Sequence, residues 1–207
     1  MATPTPTLHL AWTVDDGPTS FTDAMIDVFA TTIPKKPIPA TWFVQWDYLE
    51  QRPKYYGVYC RLQDDAGHEI GIHGASTIAN HIHWFPTDKP GVAAFPDIGQ
   101  ALEGIDAFKH ALEEKGILAK FVRAPTGLLS EVAAYLRKLG IKDAAQSQTI
   151  ARQIIRGTAP ATTKTTKVAV EKAIADVATL NARLPQLGLH LWGGDPSGRV
   201  SPQSWEA

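Results

Sequence analysis

The chain has 207 residues, a hydrophobic content of 44% and a formal net charge of −1, which suits one well-packed domain and leaves too little length for two ordinary ones. The balanced charge excludes the strongly basic surface that nucleic acids and anionic membranes select. Cys60 is the only cysteine, so an intrachain disulfide and a zinc cluster built from cysteines are excluded too. We expect a single domain over residues 1–207.

The sequence contains no segment that predicts membrane insertion. Residues 1–7 lack the basic region and the apolar core of an export signal, and no run approaches the ~18 apolar residues that a spanning helix needs. We therefore expect a soluble protein, or one whose export signal has been removed.

The N-terminal half alternates between segments typical of strands and segments typical of helices. Three short segments rich in strand-forming residues predict buried strands: 8–14, 40–46 and 68–73. Capping residues and stop signals between them predict one helix that ends near residue 32 and another over 53–66. Strand, helix, strand, helix, strand is the succession from which parallel α/β folds are built.

The C-terminal half begins with a long segment of small and aromatic residues, 74–96, which predicts a loop of the length that serves function in compact domains. Apolar spacing and stop signals then predict three helices: 97–115, 128–139 and 168–184. Short strands are predicted at three places: 120–123, 141–145 and 187–191. The threonine-rich segment 157–166 is interpreted as a loop or lid.

Candidate functional groups lie at or just after the predicted strand ends: Asp15 with Asp16, His73, Arg123 and His190. Adjacent carboxylates repel each other and the following Gly-Pro pair ends the strand, so both aspartates should stand at a strand's C-terminal end, where a cation would relieve the repulsion. Parallel α/β proteins build their sites at that edge of the sheet. An acidic turn without a function is the alternative interpretation of the pair.

Most of these residues lie in three short motifs: VDDGP at 14–18, GHEIGIH at 67–73 and RAPTG at 123–127. In the same order they resemble the FDDGP, GHEIGNH and RPPYG motifs of the NodB-homology polysaccharide deacetylases, carbohydrate esterase family 4. The segment ATWFV at 40–44 also resembles the family's ATFFV. One such motif is a weak signal, whereas three in order over about residues 8–195 are specific.

The resemblance implies a distorted, incomplete (β/α) barrel of about seven parallel strands. It implies a hydrolase of carbon–nitrogen bonds other than peptide bonds, which removes acetyl groups from amino sugars of a cell-wall or surface polysaccharide, either peptidoglycan or a chitin-like polymer. The expected partner is this polysaccharide, with no nucleic acid, and the expected oligomeric state is a monomer. The expected place of action is the cell envelope or the outside of the cell.

By position, the resemblance implies that Asp15 is the general base, that Arg123 orients it and that His190 is the general acid. A backbone N–H near Thr126 would help to hold the oxyanion. Amide hydrolysis requires a water made nucleophilic, an electrophile for the carbonyl oxygen and a proton for the departing amine. An imidazole suits the last task because the ordinary pKa of histidine is near ~6.5.

The resemblance also implies a divalent metal, zinc, held by Asp16, His73 and a second histidine. The family places that histidine four residues after the first, but Thr77 occupies this position. We predict His81 as the third ligand, because extended chain spans ~3.3 Å per residue and a longer loop could return it to the metal. His83 is the reserve, and a surface histidine beside a lost ligand is the alternative interpretation of His81.

One departure from the family pattern concerns the surroundings of the site. No Asp-rich fourth motif is visible between 143 and 160, which leaves Arg123 without the acidic partner that the family pattern supplies. Trp84 and Trp192 lie near the site residues in sequence and are candidates for stacking on sugar rings, with packing in the protein as the alternative for Trp192.

Two other functions stay open at this point. Thr77 is compatible with a hydrolase of the same fold that cleaves small cyclic amides without a metal. The lost histidine and the missing fourth motif are compatible with a catalytically silent glycan-binding module. The presence of Asp15, Asp16, His73 and His190 counts against the binding module, which has no need of that set.

Overall fold

The computed structural model describes residues 12–31, 38–77, 81–158 and 160–193. The strands are β1 Trp12–Gly17, β2 Ala40–Val44, β3 Glu69–His73, β4 Ala119–Arg123 and β5 His190–Leu191. The helices are α1 Thr22–Thr31, α2 Trp46–Glu50, α3 Lys54–Ala66, α4 Ile98–Glu113, α5 Leu128–Lys138, α6 Ala144–Ile155 and α7 Lys167–Arg183. A 3₁₀ turn, Pro185–Leu187, precedes β5. Among the described residues, no helix combines the length and the apolar character needed to cross a membrane.

The strand order in the sheet is β1-β2-β3-β4-β5, and every neighbouring pair is parallel. A sequential order without reversal is the winding of a (β/α) barrel, whereas a doubly wound sheet reverses its order at a switch point. The predicted α/β fold with parallel strands is therefore confirmed. The described residues form five strands, so the predicted count of about seven and the closure into an incomplete barrel are not confirmed.

The first four strands end at the same edge of the sheet. In the register, Gly17 pairs with Val44 and His73 pairs with Arg123. The N–H of Gly74 donates to the carbonyl of Arg123 at 3.0 Å, which continues the pairing of β3 and β4 by one residue. Residues that are far apart in the sequence thereby become neighbours at this edge.

The sheet separates two apolar regions of very different size. Every residue of β2 is buried, as expected for an apolar strand inside a parallel sheet. Trp42 and Val44 belong to the large core that includes buried residues of the helices. Phe43 points the other way, because side chains alternate along a strand, and it forms a small separate cluster with Phe121 and Trp192.

Gly71 of the second motif makes room for that small cluster. A Cβ atom at this position would lie 2.5 Å from Cε1 of Phe43 and 3.2 Å from the carbonyl oxygen of Phe121. Carbon atoms in proteins pack at about 3.5–4.0 Å, so a side chain here would displace the Phe43 ring. The glycine is a packing requirement of the sheet.

Strand boundaries differ from the prediction at the first motif. β1 continues to Gly17, beyond the predicted end at residue 14, because the pairing with β2 resumes at Gly17 after a shift in register. Asp15 and Asp16 therefore belong to the strand itself. Parts of several predictions lie outside the described residues: 8–11, 32, 78–80, 159 and 194–195.

The predicted strand at 141–145 is wrong. Asp143 caps α6 instead, with its Oδ1 accepting the N–H of Gln146 at 2.6 Å, and a capping aspartate favours a helix start. Ile141 is buried at 3% exposure without belonging to a strand. The unpredicted helix buries residues at helical spacing: Ser147, Ile150, Ala151 and Ile154.

We predict that Gly71→Ala lowers the free energy of unfolding by about 1–3 kcal/mol, because the added methyl group overlaps the Phe43 ring. Chemical denaturation of both proteins measures the difference. Gly57→Ala is the matched control: Gly57 is exposed in α3, and a Cβ there would meet no described atom within 4 Å. The control should be as stable as the wild type or more stable, and equal loss in both variants would contradict the prediction.

Candidate active site

The end of β1 carries both aspartates of the first motif. Consecutive residues of a regular strand point to opposite faces, but the register with β2 shifts here and Asp16 has a φ of +60°. Such a bulge redirects side chains beside a site, and aspartate tolerates the left-handed conformation better than most residues. As a result, Asp15 faces Arg123 while Asp16 faces His73.

Asp16, His73 and His81 form one cluster. The Oδ1 atom of Asp16 lies 3.3 Å from Nε2 of His73 and 3.5 Å from Nε2 of His81. The three potential ligand atoms all lie within 4.8 Å of one another, and the two imidazole rings meet edge to face with centroids 5.7 Å apart. The structure thus brings together the three residues that were predicted as metal ligands.

The donor set fits a divalent metal such as zinc, which takes carboxylate oxygen and imidazole nitrogen as ligands. Bonds of about 2.0–2.2 Å to a tetrahedral ion place neighbouring ligand atoms about 3.3–3.5 Å apart, which matches both distances from Asp16. Burial lowers the pKa of His73, although the carboxylates of Asp15 and Asp16 act in the opposite direction. A neutral imidazole is the form that binds metals.

Asp15 and Arg123 form a close ion pair beside this cluster. Nη1 of Arg123 lies 2.6 Å from each carboxylate oxygen of Asp15 and donates to Oγ1 of Thr13 at 3.3 Å. Charge-assisted hydrogen bonds of this kind are short and strong, so they hold both side chains in place. The Asp15 side chain is still 37% exposed, which leaves it open to a water molecule.

Aromatic rings support Arg123 where the family pattern has an acidic side chain. Its guanidinium carbon lies 4.3 Å from the centroid of the Phe43 ring and 5.8 Å from that of Trp192, within the range of cation–π attraction. Trp192 in turn packs on Phe43 and Phe121, with centroid distances of 5.7 and 5.1 Å. It is 6% exposed, so packing is the role that the structure gives it.

Glu131 of α5 connects the long loop after β3 to the turn after β4. Its buried carboxylate accepts the N–H of Trp84 at 2.7 Å, and the N–H groups of Phe85 and Thr126 also face it. Burial raises the pKa of Glu131 to about 8, although these three N–H groups act in the opposite direction. The oxyanion donor was predicted as a backbone N–H near Thr126, and the N–H of Thr126 itself faces Glu131.

His83, the alternative third ligand, lies outside the cluster of Asp16, His73 and His81. His83 is buried, with Nδ1 3.9 Å from Oε1 of Glu131, and this distance is too long for a hydrogen bond. Burial lowers the pKa of His83. The neighbouring Trp84 side chain is fully buried, which excludes it from stacking on a sugar in this structure.

His190 lies in β5, level with a residue of β4 that comes before the strand end, and it is not part of the cluster of Asp16, His73 and His81. It pairs with Phe121 at the start of β5, and its exposed ring lies 6.0 Å from the Phe121 ring. Because side chains alternate along a strand, Phe121 and Arg123 face the same side of the sheet. His190 pairs with Phe121, so its side chain faces that side too. Its role as general acid stays a prediction.

Two buried polar side chains at the site were not predicted. Gln45 donates from Nε2 to Asp16, and this nitrogen lies 2.7 Å from Nε2 of His81. Gln45 directly follows β2, and the other candidates were identified because they lie at or just after strand ends. Glu131 had a signal as well, because it interrupts an apolar stripe at helical spacing: Leu128, Val132 and Tyr135.

We predict a pH effect on stability from Glu131. Between an unfolded pKa of 4.5 and the folded value of about 8, the folded protein keeps a proton that the unfolded chain has released, so stability falls as the pH rises. Between pH 6 and pH 8 the free energy of unfolding of the wild type should fall by about 2 kcal/mol more than that of Glu131→Gln. Titratable groups that do not face Glu131 contribute equally to both proteins and cancel in this difference.

Denaturation at several pH values measures the effect. Glu103→Gln is the matched control, because Glu103 is an exposed carboxylate in α4, and it should keep the wild-type slope. The same slope in Glu131→Gln would show that Glu131 does not hold the proton.

The model of the polysaccharide deacetylase family matches residues 2–144 of the chain, which is more than half of its length. The matched range includes Asp15, His73 and Arg123, whereas His190 lies beyond it. None of the curated proteins compared with the chain matches it. The family match agrees with the order of the three motifs and with the parallel sheet that carries them. The chain belongs to the polysaccharide deacetylase family, the NodB-homology family that its motifs resemble.

Proposed function

We propose that the protein is a metal-dependent hydrolase that removes acetyl groups from N-acetylated amino sugars of a cell-wall or surface polysaccharide, peptidoglycan or a chitin-like polymer. One observation carries the proposal: the cluster of Asp16, His73 and His81 lies beside the Asp15–Arg123 ion pair at one edge of the sheet. Family membership supports the deacetylation of a polysaccharide. We further propose that the protein acts as a monomer, at the cell envelope or outside the cell.

Asp16, His73 and His81 would hold the divalent metal, for which zinc is the proposed identity. When bound, the metal polarises the acetyl carbonyl and makes a water molecule nucleophilic near neutral pH. The protein contributes a fixed set of ligands, since His73 is 6% exposed and Asp16 is turned toward it by the bulge in β1.

Asp15 would take the proton from the attacking water. Arg123 occupies one side of its carboxylate, but each carboxylate oxygen has two acceptor positions, so a water can bind on the open side. The ion pair and the rings around Arg123 keep the carboxylate from turning away. A base held in one orientation needs no rearrangement during the reaction.

His190 would give a proton to the departing nitrogen. The oxygen of water joins the acetyl carbon and the carbon–nitrogen bond breaks, so acetate and a free amine on the sugar are the products. Since His190 is exposed on the side of the sheet that carries Arg123, a substrate bound at this edge could lie between it and Asp15. An imidazole can carry and return protons near neutral pH.

A metal-independent hydrolase of the same fold is the second candidate, and Gln45 favours it. Its amide nitrogen already donates to Asp16 and lies next to His81, so it partly meets the need for positive charge at the cluster. In that case chelation of metals would leave hydrolysis of small cyclic amides intact, and acetate release from sugars would be absent.

We predict that protein freed of metal by a chelator releases no acetate from N-acetylglucosamine oligomers and regains activity with zinc.

His81→Ala should bind the metal at least 10–100-fold more weakly, the loss that even a supporting partner of a ligand causes. His83→Ala is the matched control, because His83 lies apart from the cluster, and it should keep stoichiometric metal. Elemental analysis after dialysis measures the content, and full metal in His81→Ala would contradict the assignment.

We predict that Asp15→Asn lowers the turnover rate by about 10²–10⁴-fold, the contribution of a general base, while metal content stays unchanged. Arg123→Lys should also lower the turnover rate, because a single ammonium lacks the planar fork of arginine. The matched control is Arg137→Lys, since Arg137 pairs with Asp88 away from the site and the exchange should leave turnover unchanged. Glycan binding without turnover in the wild type would instead indicate the silent binding module.

A further inference from the structure

The side chain of Gln45 contacts the cluster of Asp16, His73 and His81. Gln45 follows β2, a strand that supplies none of the predicted ligands. It is 1% exposed, and its backbone N–H donates to the carbonyl of Gly17 at 2.9 Å. This bond ties the residue to the end of β1, where Asp16 lies. The position of the Gln45 side chain is therefore set by the same bulge that sets the position of Asp16.

The two ends of the Gln45 amide have very different surroundings. Nε2 donates to Oδ1 of Asp16 and lies 2.7 Å from Nε2 of His81. Oε1 is buried and has no hydrogen-bond partner among the residues that the structure describes, although buried polar atoms are nearly always paired. An unsatisfied buried oxygen among potential metal ligands calls for a physical explanation, and a bound ion is one.

A cation changes which end of the amide should face the cluster. Without a cation, the NH₂ group is the better neighbour for a carboxylate, and this is the arrangement observed. With a cation held by Asp16, His73 and His81, the amide oxygen becomes the favourable end, because a carbonyl oxygen carries partial negative charge and NH₂ carries positive charge. A half-turn about the last side-chain torsion exchanges the two ends, and such torsions are soft.

We propose that Gln45 is a fourth protein ligand of the divalent metal and binds it through Oε1. The proposal rests on the metal-dependent function proposed above and deepens it. The resulting set of two oxygens and two nitrogens suits zinc, cobalt or manganese, and it contains no sulfur ligand that would select softer metals. Since a catalytic metal keeps a position for water, the site with Gln45 bound should be five-coordinate.

The test titrates Co²⁺ into the metal-free full-length chain and records its affinity and its visible spectrum. Gln45→Leu removes both polar atoms, and we expect its affinity to fall by about 10-fold or more, with stronger visible absorption as five-coordinate Co²⁺ becomes four-coordinate. Gln45→Glu keeps an oxygen at the same reach and should bind at least as tightly as the wild type. Gln63→Leu is the matched control, since Gln63 bonds the backbone of Leu118 away from the cluster, and its affinity and spectrum should not change.

The outcomes separate this inference from the function on which it rests. If Gln45→Leu binds Co²⁺ with wild-type affinity and spectrum, the fourth ligand is refuted and the three-residue site stands. If it binds more tightly, the amide competes with the cation, which overturns the inference and favours the metal-independent candidate. If the wild type binds no Co²⁺, both proposals fail. Should Gln45→Leu not fold, weaker binding by Gln45→Glu than by the wild type overturns the inference by itself.

Discussion

Side-chain alternation along a strand is the constraint on which the candidate site depends. In a regular strand Asp15 and Asp16 would point to opposite faces, and only one of them could reach the site. The left-handed backbone at Asp16 removes this conflict, so that one carboxylate meets Arg123 and the next meets His73. Two chemically identical side chains thereby acquire different neighbours, and with them different proposed tasks. The positive charge of Arg123 beside Asp15 also weakens the repulsion between the two carboxylates.

The support of Arg123 shows how this chain manages without the acidic motif of its family. The Phe43 and Trp192 rings restrain the guanidinium by packing and by cation–π attraction, and they do so without neutralising its charge. An acidic partner would compete with Asp15 for the same N–H groups, whereas aromatic faces leave them free for it. The requirement for Gly71 follows from this arrangement, because the Phe43 ring can lie there only if β3 has no side chain beneath it.

The cluster of Asp16, His73 and His81 depends on a loop, and the loop depends on buried polar contacts. His81 comes from the long segment after β3, whose described part is held by the hydrogen bond from the Trp84 N–H to Glu131 and by a parallel bridge between His83 and Ala94. Gly104 of α4 contributes as well, since a Cβ there would collide with the carbonyl oxygen of Ala75. Ligand geometry on a loop is reproducible only when anchors of this kind remove the loop's freedom.

The sequence by itself determined the alternation of strands and helices, the three motifs and the placement of Asp15, His73 and Arg123 at strand ends, because these features follow from local patterns. Local patterns wrongly predicted a strand at 141–145, where Asp143 instead caps the start of α6. Only the tertiary structure decided that Arg123 rests on Phe43 and Trp192, that His81 lies beside Asp16 while His83 does not, and that Gln45 enters the cluster. These contacts join different strands and loops, so they are set by the register of the sheet, the bulge at Asp16 and the path of the loop, none of which a local pattern encodes.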